Sequence, residues 1–283
     1  MHMGTVRTLL MYTLGIVFAT FLGANCYAIL NYRNSMGIYD PRLLSTEQVT
    51  QRLNNRRNLS EGEKKERNKY AVIVNGSVRK VFQENVSEAH KSLRHLGFSE
   101  DNIFLLTSNY PRDSDYEGSI TARGTSENLG KVIDYLADSV DSNDLVLVST
   151  TGHGERREND STLRLADREI SAYELKEKVQ QIKAGYYVTF SAQCFSGGMV
   201  DAFSKLERSV VAMSSTDSQH PTDPSFGILF WRSFRNSEAD TNNDGVTSWR
   251  EAFDYASVNR SKFGFWHKYF GADKGGQFYS SEH

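Results

Sequence analysis

Cysteine is nearly missing from this 283-residue chain: Cys26 and Cys194 are the two it has. Cys26 lies in an apolar N-terminal run, so the remainder carries one thiol and can form no internal disulfide. An excess of charge is missing as well. Lys and Arg number 33 against 35 Asp and Glu, a formal net charge of -2, and the pI is near 6.4. Nucleic-acid binders are far more basic, so no nucleic-acid partner is expected. Aromatic residues at 12% and charged residues at 24% describe a folded chain, not a disordered one.

Charge is also absent locally. After a short tail, 1–7, no charged side chain occurs across 8–32. About 20 apolar residues suffice to cross a bilayer as a helix, whereas a cleaved signal peptide has a shorter core and small residues at its cut. The run continues through Ile29 and Leu30, which favours an uncleaved transmembrane anchor. Ala24, Cys26 and Ala28 keep a signal-peptide cut open. The expectation is a single-pass membrane protein or a secreted one, with the domain that follows outside the cytoplasm. Arginines flank the run on both sides, so its orientation stays open. Residues 33–69 read as a polar linker, with a short helix within 46–57, and the folded domain as 70–283.

From Tyr70 the pattern alternates. Tyr70–Asn75, Asn102–Thr107, Asp144–Thr151, Gly185–Gln193 and Ser209–Ser214 are apolar runs of strand length. Between them lie helical stripes: Val86, Ala89, Leu93 and Leu96; then Leu129, Val132, Ile133, Leu136 and Val140. Ser171 and Glu174 form a capping-box pattern opening a third helix. Strands alternating with helices predict an α/β fold with a mainly parallel central sheet and helices on both faces, a three-layer α/β/α sandwich.

Two of the strands run out into polar loops with reactive side chains. Asp144-Leu-Val-Leu-Val-Ser-Thr-Thr-Gly-His-Gly ends on His153 between two glycines. Gly185-Tyr-Tyr-Val-Thr-Phe-Ser-Ala-Gln-Cys-Phe-Ser-Gly-Gly ends on Cys194. Open α/β sheets place ligands at the carboxyl ends of their strands, and a thiol nucleophile needs a base beside it. His153 and Cys194 are therefore the candidate catalytic pair.

In that order and spacing, Gly152-His153-Gly154 and Gln193-Cys194-Phe195-Ser196-Gly197-Gly198 resemble the caspase-fold cysteine peptidases, the clan of caspases, metacaspases, gingipains and legumain. They are most similar to the legumain-like branch and its bacterial relatives. The resemblance covers about Tyr70 to Tyr255. It implies a caspase-like sandwich, a peptide or protein substrate, and a cysteine endopeptidase that needs no cofactor for catalysis. It implies Cys194 as nucleophile, His153 as proton carrier, and the backbone N–H groups of Gly154 and Cys194 as the oxyanion site. Two alternatives stay open: a peptide-bond transamidase, and an inactive caspase-fold module that binds peptides.

For the substrate pocket the resemblance implies Arg79, after the first strand, and Ser214, Ser215 and Asp217, after the fifth. A guanidinium suits a carboxylate, so a cut after Asn or Asp is expected. One feature of the family is lacking. Two residues before the nucleophile, where relatives carry Gln, Glu or Asp, this chain has Ala192.

Asp240-Thr-Asn-Asn-Asp-Gly-Val-Thr-Ser-Trp-Arg-Glu251 matches the EF-hand calcium loop, with Asp240, Asn242, Asp244, Val246 (through its carbonyl) and Glu251 at ligand positions. A structural Ca2+ is one reading; a polar turn with a Ser248–Glu251 capping box is the other. Asn58, Asn75, Asn85 and Asn159 stand in Asn-x-Ser patterns, of which Asn75 falls at a strand end.

Overall fold

The computed structural model describes residues 40–59, 67–110, 118–158, 160–222, 224–260 and 276–281. The chain divides into two compact units, Met1–Asp40 and Pro41–His283. The expected membrane or signal helix at 8–32 lies outside the described residues. Among the described residues no helix is long and apolar enough to cross a membrane.

In chain order the second unit contains α1 (Thr46–Leu59), β1 (Lys69–Asn75), α2 (Lys80–His95), β2 (Ile103–Thr107), β3 (Ile120–Arg123), α3 (Ser126–Ser139) and β4 (Leu145–Gly152). Three short strands follow: β5 (Arg156–Arg157), β6 (Asp160–Arg164) and β7 (Glu169–Ser171). The remainder is α4 (Ala172–Val179), β8 (Tyr186–Gln193), α5 (Gly197–Phe203), β9 (Ser209–Ser214), α6 (Ser225–Ser233), α7 (Trp249–Asn259) and β10 (Phe278–Ser280).

The central sheet has seven strands in the order β10-β9-β8-β4-β1-β2-β3. All neighbours are parallel except β10, which runs antiparallel to β9. Its inner strands are unbroken apolar runs because both faces are covered. On one face Val72 and Val74 of β1 pack with Val49 and Leu53 of α1, Leu129 and Val132 of α3, Leu175 of α4 and Phe203 of α5. On the other, Ala71 and Ile73 pack with Val86 and Leu93 of α2, Phe226 and Phe230 of α6 and Ala252 of α7. Phe190 of β8 stacks on Phe230 with ring centroids 3.9 Å apart.

The mainly parallel sheet between helices is as expected; its boundaries differ in three places. The compact unit starts at Pro41, well before Tyr70, because α1 of the expected linker buries Val49 and Leu53. Leu44 bridges Ala122 and covers the free edge of β3. Helix α2 opens at Lys80, not near Asn85, since Phe82 adds a turn to its buried face. Strands β5, β6 and β7 form a small antiparallel sheet in the connection from β4 to α4. Asn75 and Asn85 are both buried, so the folded chain shields these two sequons.

Candidate active site

Register decides where the reactive side chains meet. In the β4–β8 pair Gly152 stands opposite Gln193. The next residues, His153 and Cys194, therefore leave neighbouring strands at the same level, and adjacent strands lie only about 4.8 Å apart. Strand β1, on the other side of β4, ends at Asn75 opposite Thr151 and leads to Arg79, the residue capping α2. Strand β9, beyond β8, ends at Ser214. Four consecutive carboxyl ends thus bring Arg79, His153, Gly154, Cys194 and Ser214–Asp217 to one rim, as open α/β sheets do with their sites.

Gly154 measures how tightly this rim is built. A Cβ added there would lie 2.4 Å from the Cys194 carbonyl oxygen and 2.8 Å from that of Thr162. No other residue lets the two loops approach so closely. Gly152 adopts φ of 128°, in the region that favours glycine. The Gly154 and Cys194 N–H groups enter no turn, loop or cap hydrogen bond among the described residues. The Cys194 N–H is turned toward its own sulfur; backbone donors of this kind are what a developing oxyanion requires.

His153 is half-buried, with the edge of the Phe82 ring against it at 5.5 Å between centroids. Its carbonyl accepts the Arg164 N–H at 2.9 Å. Burial, followed by the Arg79 and Arg164 charges, pushes the imidazole below its ordinary value. Cys194 is a free, half-buried thiol. Burial pushes it up, and hydrogen bonds from the Thr222 and Cys194 N–H groups, together with the Arg79 charge, only partly offset this. Both directions favour the uncharged forms, thiol and imidazole, over a thiolate–imidazolium pair.

The turn after Cys194 is where the strain sits. Phe195 takes φ of 60°, outside the usual range for a bulky residue. Its peptide is gripped at both ends: its N–H donates to the His220 carbonyl at 2.9 Å, and its own carbonyl accepts the Ser161 hydroxyl at 2.5 Å. The glycines that follow serve close approach, with the left-handed conformation falling on Phe195 instead. A Cβ on Gly197 would come within 2.4 Å of the Ser218 nitrogen, and one on Gly198 within 2.1 Å of the Ser161 hydroxyl.

The expected pocket residues divide. Arg79 is exposed, makes no salt bridge among the described residues, and lies close enough for its charge to act on both His153 and Cys194. Ser214 and Ser215 are buried and engaged internally. The Ser214 hydroxyl donates to the Thr216 carbonyl at 2.7 Å and accepts the Gln277 N–H at 3.0 Å; that of Ser215 meets the Ser196 hydroxyl at 3.3 Å. The Asp217 carboxylate faces His220 Nδ1 at 2.7 and 2.9 Å. Ala192 is buried against α6, where a Cβ on Gly227 would fall 3.0 Å from its own. Two clefts border neighbouring loops among the described residues, and neither is lined by His153, Cys194 or Arg79. One, of about 360 Å³, is bordered by Val78, Lys80, Gln83 and Tyr110. The other, of about 220 Å³, is bordered by Asp160, Ser161, Gly198 and Gln219.

Sequence patterns did not point to Ser161, in the short strand β6, or to His220 and Thr222, in a loop without periodicity. Gln193 was passed over as well. It is fully buried, with Oε1 2.9 Å from the Thr150 hydroxyl and Nε2 without a partner among the described residues. Its place beside Cys194 was the one available signal.

The loop at 240–251 closes on Glu251. Oε1 accepts the Thr241 N–H and hydroxyl, both at 2.9 Å, and the Asn242 N–H at 3.1 Å. Oε2 accepts the Ser248 N–H and hydroxyl, both at 2.9 Å, within a complete capping box on α7. Asp240 Oδ2 accepts the Gly245 N–H at 2.9 Å, and Gly245 has φ of 87°. Among the described residues no group of three or more His, Cys, Asp or Glu side chains gathers to hold a metal.

No family model matches the chain, and no curated protein matches it.

Proposed function

We propose that this protein is a cysteine endopeptidase of caspase-like fold, acting through the Cys194–His153 pair. One observation carries the reading: the Gly152–Gln193 register sends His153 and Cys194 out of adjacent parallel strands side by side, with the Gly154 backbone against Cys194.

The Cys194 sulfur attacks the scissile carbonyl carbon, and its proton passes to His153, which is neutral at pH 7 and able to accept it. The oxyanion takes the N–H groups of Gly154 and Cys194. The C–N bond breaks, His153 returns the proton to the leaving amine, and a thioester remains on Cys194. Water, losing a proton to His153, then attacks the thioester. The acid leaves and the thiol is restored. An amine in place of water gives the transamidase outcome with the same residues. Arg79 meets the side chain before the cut, and its positive charge favours Asp over Asn there.

Digestion of a mixed peptide library under reducing conditions tests this. Wild type should cleave it and Cys194→Ala should not; identical digestion by the two would overturn the peptidase reading. The burial that pushes the Cys194 thiol up favours the second reading, a non-catalytic peptide-binding module, which predicts retention of library peptides without turnover by either form.

Calcium belongs to the proposal as a structural ion. The oxygen donors of Asp240, Asn242, Asp244, the Val246 carbonyl and Glu251 suit a hard cation. Binding must draw Glu251 away from the N–H groups it now accepts, so modest affinity is expected. The attachment of the domain to a membrane through 8–32, outside the cytoplasm, is likewise part of the proposal. Sedimentation with membranes, lost on deletion of that segment, is the expected result.

A further inference from the structure

The loop between β9 and α6 lies directly against the nucleophile turn. Gly197 packs so closely on Asp217 and Ser218 that a Cβ there would sit 2.4 Å from the Ser218 nitrogen. From this loop the His220 carbonyl takes the Phe195 N–H at 2.9 Å, and the Thr222 N–H donates to the Cys194 sulfur. Within the loop Asp217 meets His220 Nδ1 at 2.7 Å, beside the longer bonds of the Thr216 and Thr222 hydroxyls to the Pro221 and Ser215 carbonyls, both at 3.5 Å. The Asp217 carboxylate also accepts the Gln219 N–H at 2.8 Å. Burial alone would raise Asp217, yet the His220 contact and the Gln219 and His220 N–H groups bring it below its ordinary value.

We propose that Asp217 and His220 are positioning residues for the nucleophile: their side-chain pair fixes the His220 carbonyl, which holds Phe195 at positive φ and thereby sets the direction of the Cys194 sulfur. A bulky residue in that conformation persists only where its surroundings over-determine it. Ser161 fixes the Phe195 carbonyl from the other side, and the Asp217–His220 pair fixes the N–H. The Thr222 contact follows from the same loop geometry. The inference rests on the reading of Cys194 as nucleophile. Arg79, from the β1–α2 loop, places its charge on the sulfur, and His153 leaves the end of β4 at the same level as Cys194.

The test uses the full chain and two readouts: kcat and KM on a peptide substrate, and the pH midpoint of Cys194 alkylation by iodoacetamide. Asp217→Ala and His220→Ala should each lower kcat on the order of tenfold with KM little changed, as misplacement of a reacting group does. Both should raise the alkylation midpoint as the Thr222 N–H leaves the sulfur. Asp217→Asn, whose amide oxygen still accepts from the imidazole, should restore most of kcat. The double variant should match either single one. Unchanged alkylation midpoints in both alanine variants, with thermal unfolding unchanged, would overturn the proposal, as would additive losses in the double variant. Alkylation does not require peptide cleavage. A shifted midpoint in a chain that cleaves nothing sinks the peptidase reading and leaves the positioning role standing; cleavage with an unshifted midpoint does the reverse.

Discussion

Burial raises the Cys194 thiol, while the Thr222 N–H and the Arg79 charge act against that rise. At neutral pH iodoacetamide should therefore label Cys194 more slowly than a free thiol, the reverse of what a ready-made thiolate would show. The rate should keep climbing at pH values where an ordinary thiol has levelled off. Arg79 favours the thiolate and disfavours the imidazolium, so Arg79→Gln should move the alkylation midpoint up. The same change should move the acid limb of activity up as well, because it relieves His153. Gly154→Ala is the sharpest change on the rim. Its methyl group meets the Cys194 carbonyl oxygen, and a displacement of that kind should cost about 100-fold in kcat/KM. At this scale the sequence was readable where chemistry and strand end coincide. His153 and Cys194 stand at the tips of apolar runs, but Ser161 and His220 act through single backbone contacts that leave no mark on composition or spacing.

Among the elements, β1, β4, β8 and β9 were legible because sheets covered on both faces demand continuous apolar runs. Strand β3, Ile120-Thr-Ala-Arg123, was not, for it has four residues and one side chain only half-buried. Strands β5 and β10 are two and three residues long; β5 pairs with β6 only a few residues on, and β10 with β9, remote in the chain. The start of α2 was misjudged because Arg79 caps it without a side-chain hydrogen bond. The Ser248–Glu251 box on α7, by contrast, stands in the sequence as written. Ser248→Ala should cost about 1 kcal/mol in chemical unfolding. Glu251 is brought from an ordinary 4.5 to about 2, chiefly by the Ser248 N–H and hydroxyl and the Thr241 hydroxyl. Its contribution is complete above about pH 4.5 and is lost as pH falls through about 2. Urea midpoints measured across that window should fall in wild type and flatten in Glu251→Gln. Millimolar calcium should raise the unfolding temperature of wild type and not of that variant.

Across the whole molecule, one compact unit from Pro41 onward accounts for both buried layers. A chain beginning at Asn68 loses Val49 and Leu53 from the core and should be less stable by about 2 kcal/mol or more, since each apolar side chain contributes about 1.5–3 kcal/mol on burial. Composition could not reveal this boundary: α1 is mostly polar, and its two fully buried apolar residues matter only once α3 and β3 are beside it. Trp231→Ala, in the aromatic layer on the opposite face, should cost about 3–5 kcal/mol in the same measurement.

The sheet ends on a short ribbon. Strand β10 lies along β9 through three residue pairs, and Gln277 just before it holds both the Ser214 N–H and the Ser214 hydroxyl. Ser214 is the root of the loop that touches the Cys194 sulfur. A peptide able to displace β10 would gain an open strand edge as its template and would tug on the reactive turn in the same act. Reactivity at one end of the strand row and occupancy of its flank are thus mechanically joined.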